Sequence, residues 1–278
     1  MTTWRLLLSA WDLEPSILAG CAALIAAYAA LVRPLTARAA IYVTGVAIML
    51  AALVSPIDVL GGYLFSAHML QHLLLLLVVP PLLLLGLPPE GTRRFLTWGP
   101  ARRVERVIGQ PLVAWLLGSV TLWAWHWPAL YDAAVVSQGA HILQHLSFLV
   151  TATIFWWPVL APVPEARRLG FFAALGYLLA AGFVDSVLGI IITFAPTGLY
   201  PVYLHPIDRL GALPLIRGAW GLSAEADQQG GGLLMWVLGD PIYLVFILGL
   251  FARWYTAPDD DEERIANMGP GAEPARAV

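Results

Sequence analysis

The sequence predicts an all-α polytopic membrane protein: a bundle of seven transmembrane helices, with the N-terminus outside and the C-terminus in the cytoplasm. Three observations support this fold class. Of the 278 residues, 59% are hydrophobic and 12% charged, with a mean hydropathy of +0.76, whereas soluble domains carry roughly 25% charged residues. Seven apolar segments are long enough, or nearly so, to cross a bilayer as helices. The arginines are concentrated in alternate connections between these segments.

The seven segments contain almost no charge and are separated by connections rich in polar residues, proline or glycine. Their approximate bounds are 16–32, 39–54, 63–86, 112–130, 140–160, 170–195 and 232–254. Proline suits the ends of these helices because it cannot continue the hydrogen-bond ladder. We therefore expect residues 1–255 to form one membrane domain. The longest connection, about 196–231, is expected to be an external loop, and the acidic residues 256–278 a disordered cytoplasmic tail.

The arginines predict the orientation, because cytoplasmic loops carry the excess of positive charge. Loops 1–2, 3–4 and 5–6 and the end of the seventh segment carry Arg33, Arg38, Arg93, Arg94, Arg102, Arg103, Arg106, Arg167, Arg168 and Arg253. The opposite side carries Arg5, Arg209 and Arg217, together with acidic residues. Loops 1–2, 3–4 and 5–6, which carry most of the arginines, are therefore expected to face the cytoplasm.

Composition argues against two classes of function. The chain has no basic patch of the kind that nucleic-acid binding requires, so no nucleic-acid partner is expected. It has one cysteine, Cys21, which excludes an intrachain disulfide and a Cys-x-x-Cys motif.

All six histidines are predicted to lie on or near the outer side. His68 and His72 belong to the sequence His-Met-Leu-Gln-His-Leu, and His141 and His145 belong to His-Ile-Leu-Gln-His-Leu. Both segments run inward, and the second histidine of each precedes the inner end by 14 or 15 residues, roughly 21 or 22 Å at ~1.5 Å per residue. The two pairs are therefore expected at the same depth.

This pattern of histidines suits a metal site. Side chains at positions i and i+4 share one face of a helix, so two facing helices offer up to four imidazole nitrogens. Ionisable residues inside a membrane usually face the bundle interior. We expect His68, His72, His141 and His145 to bind a metal, and His126 either to join them or to belong to an interfacial aromatic belt. His205, in a loop, is expected at the surface.

Five other residues are candidate partners of the site. Asp185, inside the sixth segment, either orients a ligating imidazole or is a neutral acid bonded to a neighbouring helix. Met69 and Met235 offer thioethers to a soft ion, although packing is their more usual role. The remaining candidates are Tyr131 and Asp227.

Ligand type alone leaves the metal open, because imidazole suits zinc, copper and iron. One alternative is a bis-histidine haem b protein, with one axial histidine from each helix. Another is an intramembrane zinc-dependent hydrolase. The familiar His-Glu-x-x-His motif carries its own general base, but here glutamine and apolar residues separate the histidines, so Asp185 or Asp227 would have to serve.

Several motifs together resemble the CtaG family of bacterial cytochrome c oxidase assembly proteins. They span about Ser66 to Trp236: Ser66–His72, Trp125–Asp132, His141-x-x-x-His145 with Phe148 and Trp156-Trp157-Pro158, Leu199–Tyr203, Asp227-Gln228-Gln229, Gly231-Gly232 and Met235-Trp236. Members often have an acid before the second histidine of the fifth helix, where this chain has Gln144.

The resemblance implies a function and a location. It implies a multi-pass protein of the bacterial inner membrane that is not an enzyme, binds copper, and assists maturation of a metal centre in a cytochrome c oxidase subunit. Extracytoplasmic copper chaperones and membrane lipid are further implied partners. The histidine cluster and the resemblance thus agree on a site near the outer face, and it is the resemblance that implies copper.

Overall fold

The computed structural model describes residues 2–31 and 36–256, and no strand occurs within these ranges. Arg33 and residues 257–278, which include all but one residue of the predicted tail, lie outside them. The helices are α1 Thr3–Ser9, α2 Pro15–Leu31, α3 Ala37–Val54, α4 Pro56–Gly61, α5 Phe65–Gly86, α6 Pro89–Thr97, α7 Gly99–Ile108, α8 Pro111–Trp125, α9 Pro128–Val136, α10 Gln138–Leu160, α11 Phe171–Phe194 and α12 Ala224–Tyr255. The predicted all-α class is confirmed for these residues.

Five helices are long and apolar enough to cross a bilayer, namely α3, α5, α10, α11 and α12. A sixth candidate arises if α7 and α8, which meet at an angle of 71°, count as one span, and α2 is apolar but shorter. The protein is therefore a multi-pass membrane protein by helix length and composition. Each of the seven apolar segments contains a helix, while the count of seven spans and the orientation of the termini stay predictions.

Two predicted boundaries differ from the structure. The segment 112–130 is broken because Pro128 restricts Trp127 to an extended backbone, so α8 ends at Trp125 and α9 begins at Pro128. The connection 196–231 is shorter than expected, because α12 begins at Ala224, where the Ser223 hydroxyl accepts a hydrogen bond from the Ala226 N–H. Asp227 consequently lies in a helix rather than in a loop.

Helix α5 contains a π-helical turn at Leu74–Val78, just before two prolines. Pro80 has no N–H to donate to the Leu76 carbonyl four residues earlier, so the regular ladder cannot continue there. The indole N–H of Trp156 in α10 donates to the Leu76 oxygen instead, at 3.0 Å. This bond joins α5 to α10 below the histidines.

The loops predicted to be cytoplasmic meet one another. Arg93 Nε donates to Glu165 Oε1 at 3.0 Å, and Arg102 donates to the Glu165 carbonyl at 2.9 Å, which links loop 3–4 to loop 5–6. Arg38, from loop 1–2, donates to the Leu85 carbonyl at the end of α5. This grouping places the three connections at the same end of the bundle, while the side of the membrane that they face stays a prediction.

Two glycines let α12 approach α5 and α11 closely. A Cβ atom added at Gly231 would overlap the ring of Phe65 in α5, and one at Gly232 would overlap Thr193 in α11. Phe65 lies one turn before His68. The contact therefore fixes the position at which α5 presents its histidines.

Candidate metal centre

The first two turns of α5 carry His68 and His72, and each side chain is only 2% exposed. The residue before the helix supplies no side-chain cap. Asp227 of α12 takes that role, because its carboxylate accepts hydrogen bonds from the backbone N–H groups of Phe65 at 2.8 Å and Ser66 at 3.1 Å. Asp227 thereby holds the helix that carries the imidazoles, which is a role the sequence did not predict for it.

The first turns of α10 carry His141 and His145, which are half-buried. The ring centroids of His68 and His141 are 5.4 Å apart, those of His68 and His145 are 6.1 Å apart, and those of His72 and His145 are 5.8 Å apart. The histidine pair on α5 therefore faces the pair on α10.

Three of these histidines form a group suited to one ion. One ring nitrogen from each of His68, His141 and His145 lies within 4.8 Å of the others. Nitrogens bound to a common ion at about 2.0 Å lie at most about 4 Å apart, so the rings need to close by roughly 1 Å. The Nε2 atoms of His141 and His145 are buried and have no hydrogen-bond partner within residues 2–31 and 36–256. The group thus has the donors and the spacing for a metal.

A tyrosine fixes the tautomer of His68. The Tyr203 hydroxyl donates to the Gly61 carbonyl at 2.9 Å, so its proton is already used, and it lies 3.1 Å from His68 Nδ1. Nδ1–H must therefore donate to the tyrosine oxygen, which leaves the Nε2 lone pair of His68 free to bind a metal. Tyr131, fully buried, lies 3.1 Å from the same hydroxyl. The candidate partner Tyr131 thus reaches His68 through Tyr203.

Gln144 lies between the two helices. Its Oε1 atom is 3.3 Å from His68 Nε2, and its buried Nε2 has no partner among the described residues. Two acceptors do not bond each other, but amide oxygen and nitrogen positions are interchangeable by a 180° turn. After that turn the Gln144 amide N–H donates to His68 Nε2. The amide is then the partner of this imidazole nitrogen until a metal ion takes its place.

His126 follows α8, is buried and lies beside His72. Its ring centroid is 5.8 Å from that of His72, and its Nε2 is 3.4 Å from the sulfur of Met69. One small cavity is lined by Met69, His72 and His126 and also by Asp185 and Met235. The Asp185 carboxylate accepts a hydrogen bond from the Tyr243 hydroxyl at 2.6 Å. His126, Met69, Met235 and Asp185 therefore form a second set beside the three-histidine group.

A larger cavity of about 490 Å³, here called the vestibule, leads to the half-buried pair. Its walls include His141, His145, Asp12, Glu14 and Asp58. Burial raises the pKa of Asp58 to about 6, although a hydrogen bond from the Gln71 amide opposes this rise. Carboxylates beside imidazoles make the vestibule attractive to cations. His205, by contrast, is exposed in its loop.

Sequence reasoning missed the contributions of Tyr203, Gln144 and Asp58. Tyr203 stood within a family motif without a role, and nothing local in the sequence places its hydroxyl against His68. Gln144 was noted only as a departure from an acid. Nothing in the sequence assigns Asp58 to the site, because its place in the vestibule depends on the packing of α2 and α10 around it.

Comparison with known proteins identifies relatives of the chain. Uncharacterized proteins of Mycobacterium bovis and Mycobacterium tuberculosis are each 26% identical to it over 228 residues, which is 77% of this chain and 33% of theirs. An uncharacterized protein of Mycobacterium leprae is 25% identical over 232 residues, or 78% of this chain and 34% of its own. The chain thus spans about a third of the length of these curated relatives. No solved structure matches it.

The family model of the cytochrome c oxidase caa3 assembly factors matches residues 22–257. The match includes both histidine helices, Tyr203 and Asp227, so it covers the whole candidate centre. The resemblance inferred from the motifs is confirmed, and the description of the family suggests a non-catalytic role. The chain belongs to the cytochrome c oxidase caa3 assembly factor family.

Proposed function

We propose that this protein binds copper at the outer face of the bacterial inner membrane and assists maturation of a metal centre in a cytochrome c oxidase subunit. Copper is its cargo rather than a resident cofactor. The observation that carries the proposal is the convergence of His68, His141 and His145, with one nitrogen of each inside 4.8 Å, in a member of an oxidase assembly family.

The donor set fits copper. Among divalent first-row metals, copper binds nitrogen ligands most tightly. The Nε2 atoms of His141 and His145 are buried and have no partner among the described residues, which is unfavourable, and a cation supplies one. With three ligands the ion keeps an open position, which suits an ion that is passed on. The vestibule gives extracytoplasmic copper chaperones, or the oxidase subunit, a route to His141 and His145.

The geometry favours a single ion over haem b. A bis-histidine haem places its two imidazoles on opposite faces of the macrocycle, with no side chain between them. Here a nitrogen of each histidine in the group lies within 4.8 Å of both others, and three converging nitrogens suit a single ion better than a macrocycle held between two of them.

The geometry also favours binding over hydrolysis. A zinc hydrolase needs a base close to the metal-bound water. The three-residue group contains histidines alone, Asp227 accepts bonds from the start of α5, and Asp185 accepts one from Tyr243. Both candidate bases are therefore already engaged elsewhere.

The test is metal analysis and absorption spectroscopy of the purified, membrane-extracted protein. We expect bound copper and no Soret band. The double variant His141→Ala, His145→Ala should lose one copper ion per chain and fail to support active oxidase in a strain lacking the native protein. His205→Ala, which removes an exposed histidine, is the matched control and should keep both properties.

Three results would contradict the proposal. A strong Soret band with stoichiometric iron and no copper would identify a haem protein. Zinc-dependent hydrolysis of lipid or peptide that persists without the oxidase would identify an enzyme. Unchanged copper content in the double variant, with normal membrane insertion, would return His141 and His145 to a structural role.

A further inference from the structure

A second cavity lies deeper in the bundle, beside the three-histidine group. Its volume is about 40 Å³, which exceeds the roughly 10–15 Å³ that one water-sized occupant requires. Five side chains with ligand atoms line it: Met69, His72, His126, Asp185 and Met235; the rest of its wall is leucine. Two imidazoles, two thioethers and one carboxylate therefore surround a space of ionic size.

The contact between His126 and Met69 points to an occupant. His126 Nδ1 is 2.7 Å from the Leu122 carbonyl oxygen, and because a carbonyl only accepts, Nδ1 carries the proton. In the neutral ring, Nε2 then has a lone pair and no hydrogen. It faces the Met69 sulfur at 3.4 Å, which also has lone pairs and no hydrogen. These two atoms cannot bond each other, but both can donate electrons to one cation.

His72 supplies a further unmatched donor. It is 2% exposed, and neither of its ring nitrogens has a hydrogen-bond partner in the described part of the chain. Its ring centroid lies 4.3 Å from that of His68 and 5.8 Å from those of both His126 and His145. His72 therefore stands between the three-histidine group and the deeper cavity, within reach of either.

We propose that the deeper cavity is a second metal site, which holds a soft monovalent cation of the Cu(I) class through Met69, His72, His126 and Met235. Thioethers select soft ions such as Cu(I), whereas imidazole alone accepts several metals. The donor atoms therefore differ from place to place: carboxylate oxygens in the vestibule, imidazole nitrogens in the three-histidine group, and nitrogens with thioether sulfurs in the deeper cavity. That the ion is cargo rests on the proposed function, but its binding here does not.

The test uses Ag(I), a redox-inert analogue of Cu(I), titrated into the full-length protein, with stoichiometry from mass spectrometry and ligand type from X-ray absorption. The wild-type protein should bind two ions, one with sulfur ligands. Met69→Leu with Met235→Leu, which conserves volume, should bind one ion with no sulfur. Met49→Leu, which removes a buried thioether from the vestibule wall, is the control and should bind two.

The His141→Ala, His145→Ala variant separates this inference from the proposed function. It should keep the sulfur-containing ion and lose the other. One bound ion without sulfur in the wild type would overturn the second site and leave the proposed function intact. A single sulfur-containing ion that survives loss of His141 and His145 would overturn the three-histidine site instead. Two ions in the double leucine variant, with sulfur still present, would also overturn the second site.

Discussion

The two histidine pairs have nearly the same sequence but different surroundings. His68 and His72 are buried, and Tyr203 fixes the tautomer of the first. His141 and His145 are half-buried and line the vestibule. A repeated sequence thus sets the spacing and the helix face of its side chains, while their burial and partners come from distant elements. One pair is accessible, and the other is buried among fixed neighbours.

The two glutamines of the repeat differ in the same way. Gln71 donates to the Ala52 carbonyl at 2.9 Å and to Asp58 at 2.6 Å, which ties α5 to α3 and α4. Gln144 instead faces an imidazole of the opposite helix. The same residue therefore anchors one helix and completes the site on the other.

The largest expected difference between the two histidine pairs is in how their substitution changes the free energy of unfolding of the metal-free protein. His72→Leu should stabilise the metal-free protein by about 1–3 kcal/mol, because it removes a buried ring with no hydrogen-bond partner among the described residues. His145→Leu, at the equivalent position of the repeat, should give a smaller gain, since that residue is half-buried at the vestibule wall and His72 is fully buried. Thermal unfolding of the detergent-solubilised, chelated protein measures both. Equal gains would show that the two pairs share one environment.

A smaller effect concerns the tyrosine that orients His68. Tyr203→Phe should lower the affinity of the three-histidine site about tenfold, within the range for loss of a partner behind a ligating histidine. Tyr200→Phe is the control, because its hydroxyl bonds the backbone carbonyl of His126, at 2.9 Å, rather than an imidazole nitrogen. Competition with a chromophoric chelator measures both affinities. Matching losses in the two variants would show a general packing effect rather than control of the tautomer.

The smallest effect concerns the vestibule. Asp58 has a raised pKa of about 6, so its carboxylate is neutral below that pH and negative above it. Asp58→Asn should slow association of Ag(I) roughly two- to fivefold above pH 6, and less below it, because the lost charge attracts cations. Asp12, Glu14, His141 and His145 face the same cavity, so the variant and the wild type are compared at each pH.

High salt should reduce the difference between Asp58→Asn and the wild type, because dissolved ions screen the attraction of this half-buried carboxylate for a cation in solution. Stopped-flow measurement at two ionic strengths checks this. Equal association rates at pH 7.5 and low salt would show that the ion reaches the histidines by another route.

Hydropathy and histidine spacing predicted much of this structure. The segments 63–86 and 170–195 nearly coincide with α5 and α11, because long apolar runs leave little choice in a bilayer. The spacing of four residues placed both imidazoles of each pair on one face. The start of α12 was missed because Asp227, Gln228 and three glycines make its first turns look like a loop. Ser223 followed by acidic residues was the overlooked start signal.

The sequence could not show that His126 has different surroundings from the other histidines. Its position near the outer side predicts either that it joins the four histidines of the repeat or that it belongs to an aromatic belt. Its distinct surroundings depend on Pro128 ending α8 and on the approach of Met69 from another helix. Contacts between residues 57 positions apart depend on packing, which periodicity within one segment does not encode.

The close contact of α12 with α5 and α11 has a consequence for how cargo leaves. Gly231 leaves no space for a methyl group beside Phe65 of α5, and Gly232 leaves none beside Thr193 of α11. The close contact at Phe65 restricts sliding or turning of α5 at this level. We therefore expect ring rotation, not helix movement, to set the rate of metal release. The protein would then hold the ion at a fixed position, and the receiving subunit would have to bind at that position to take it.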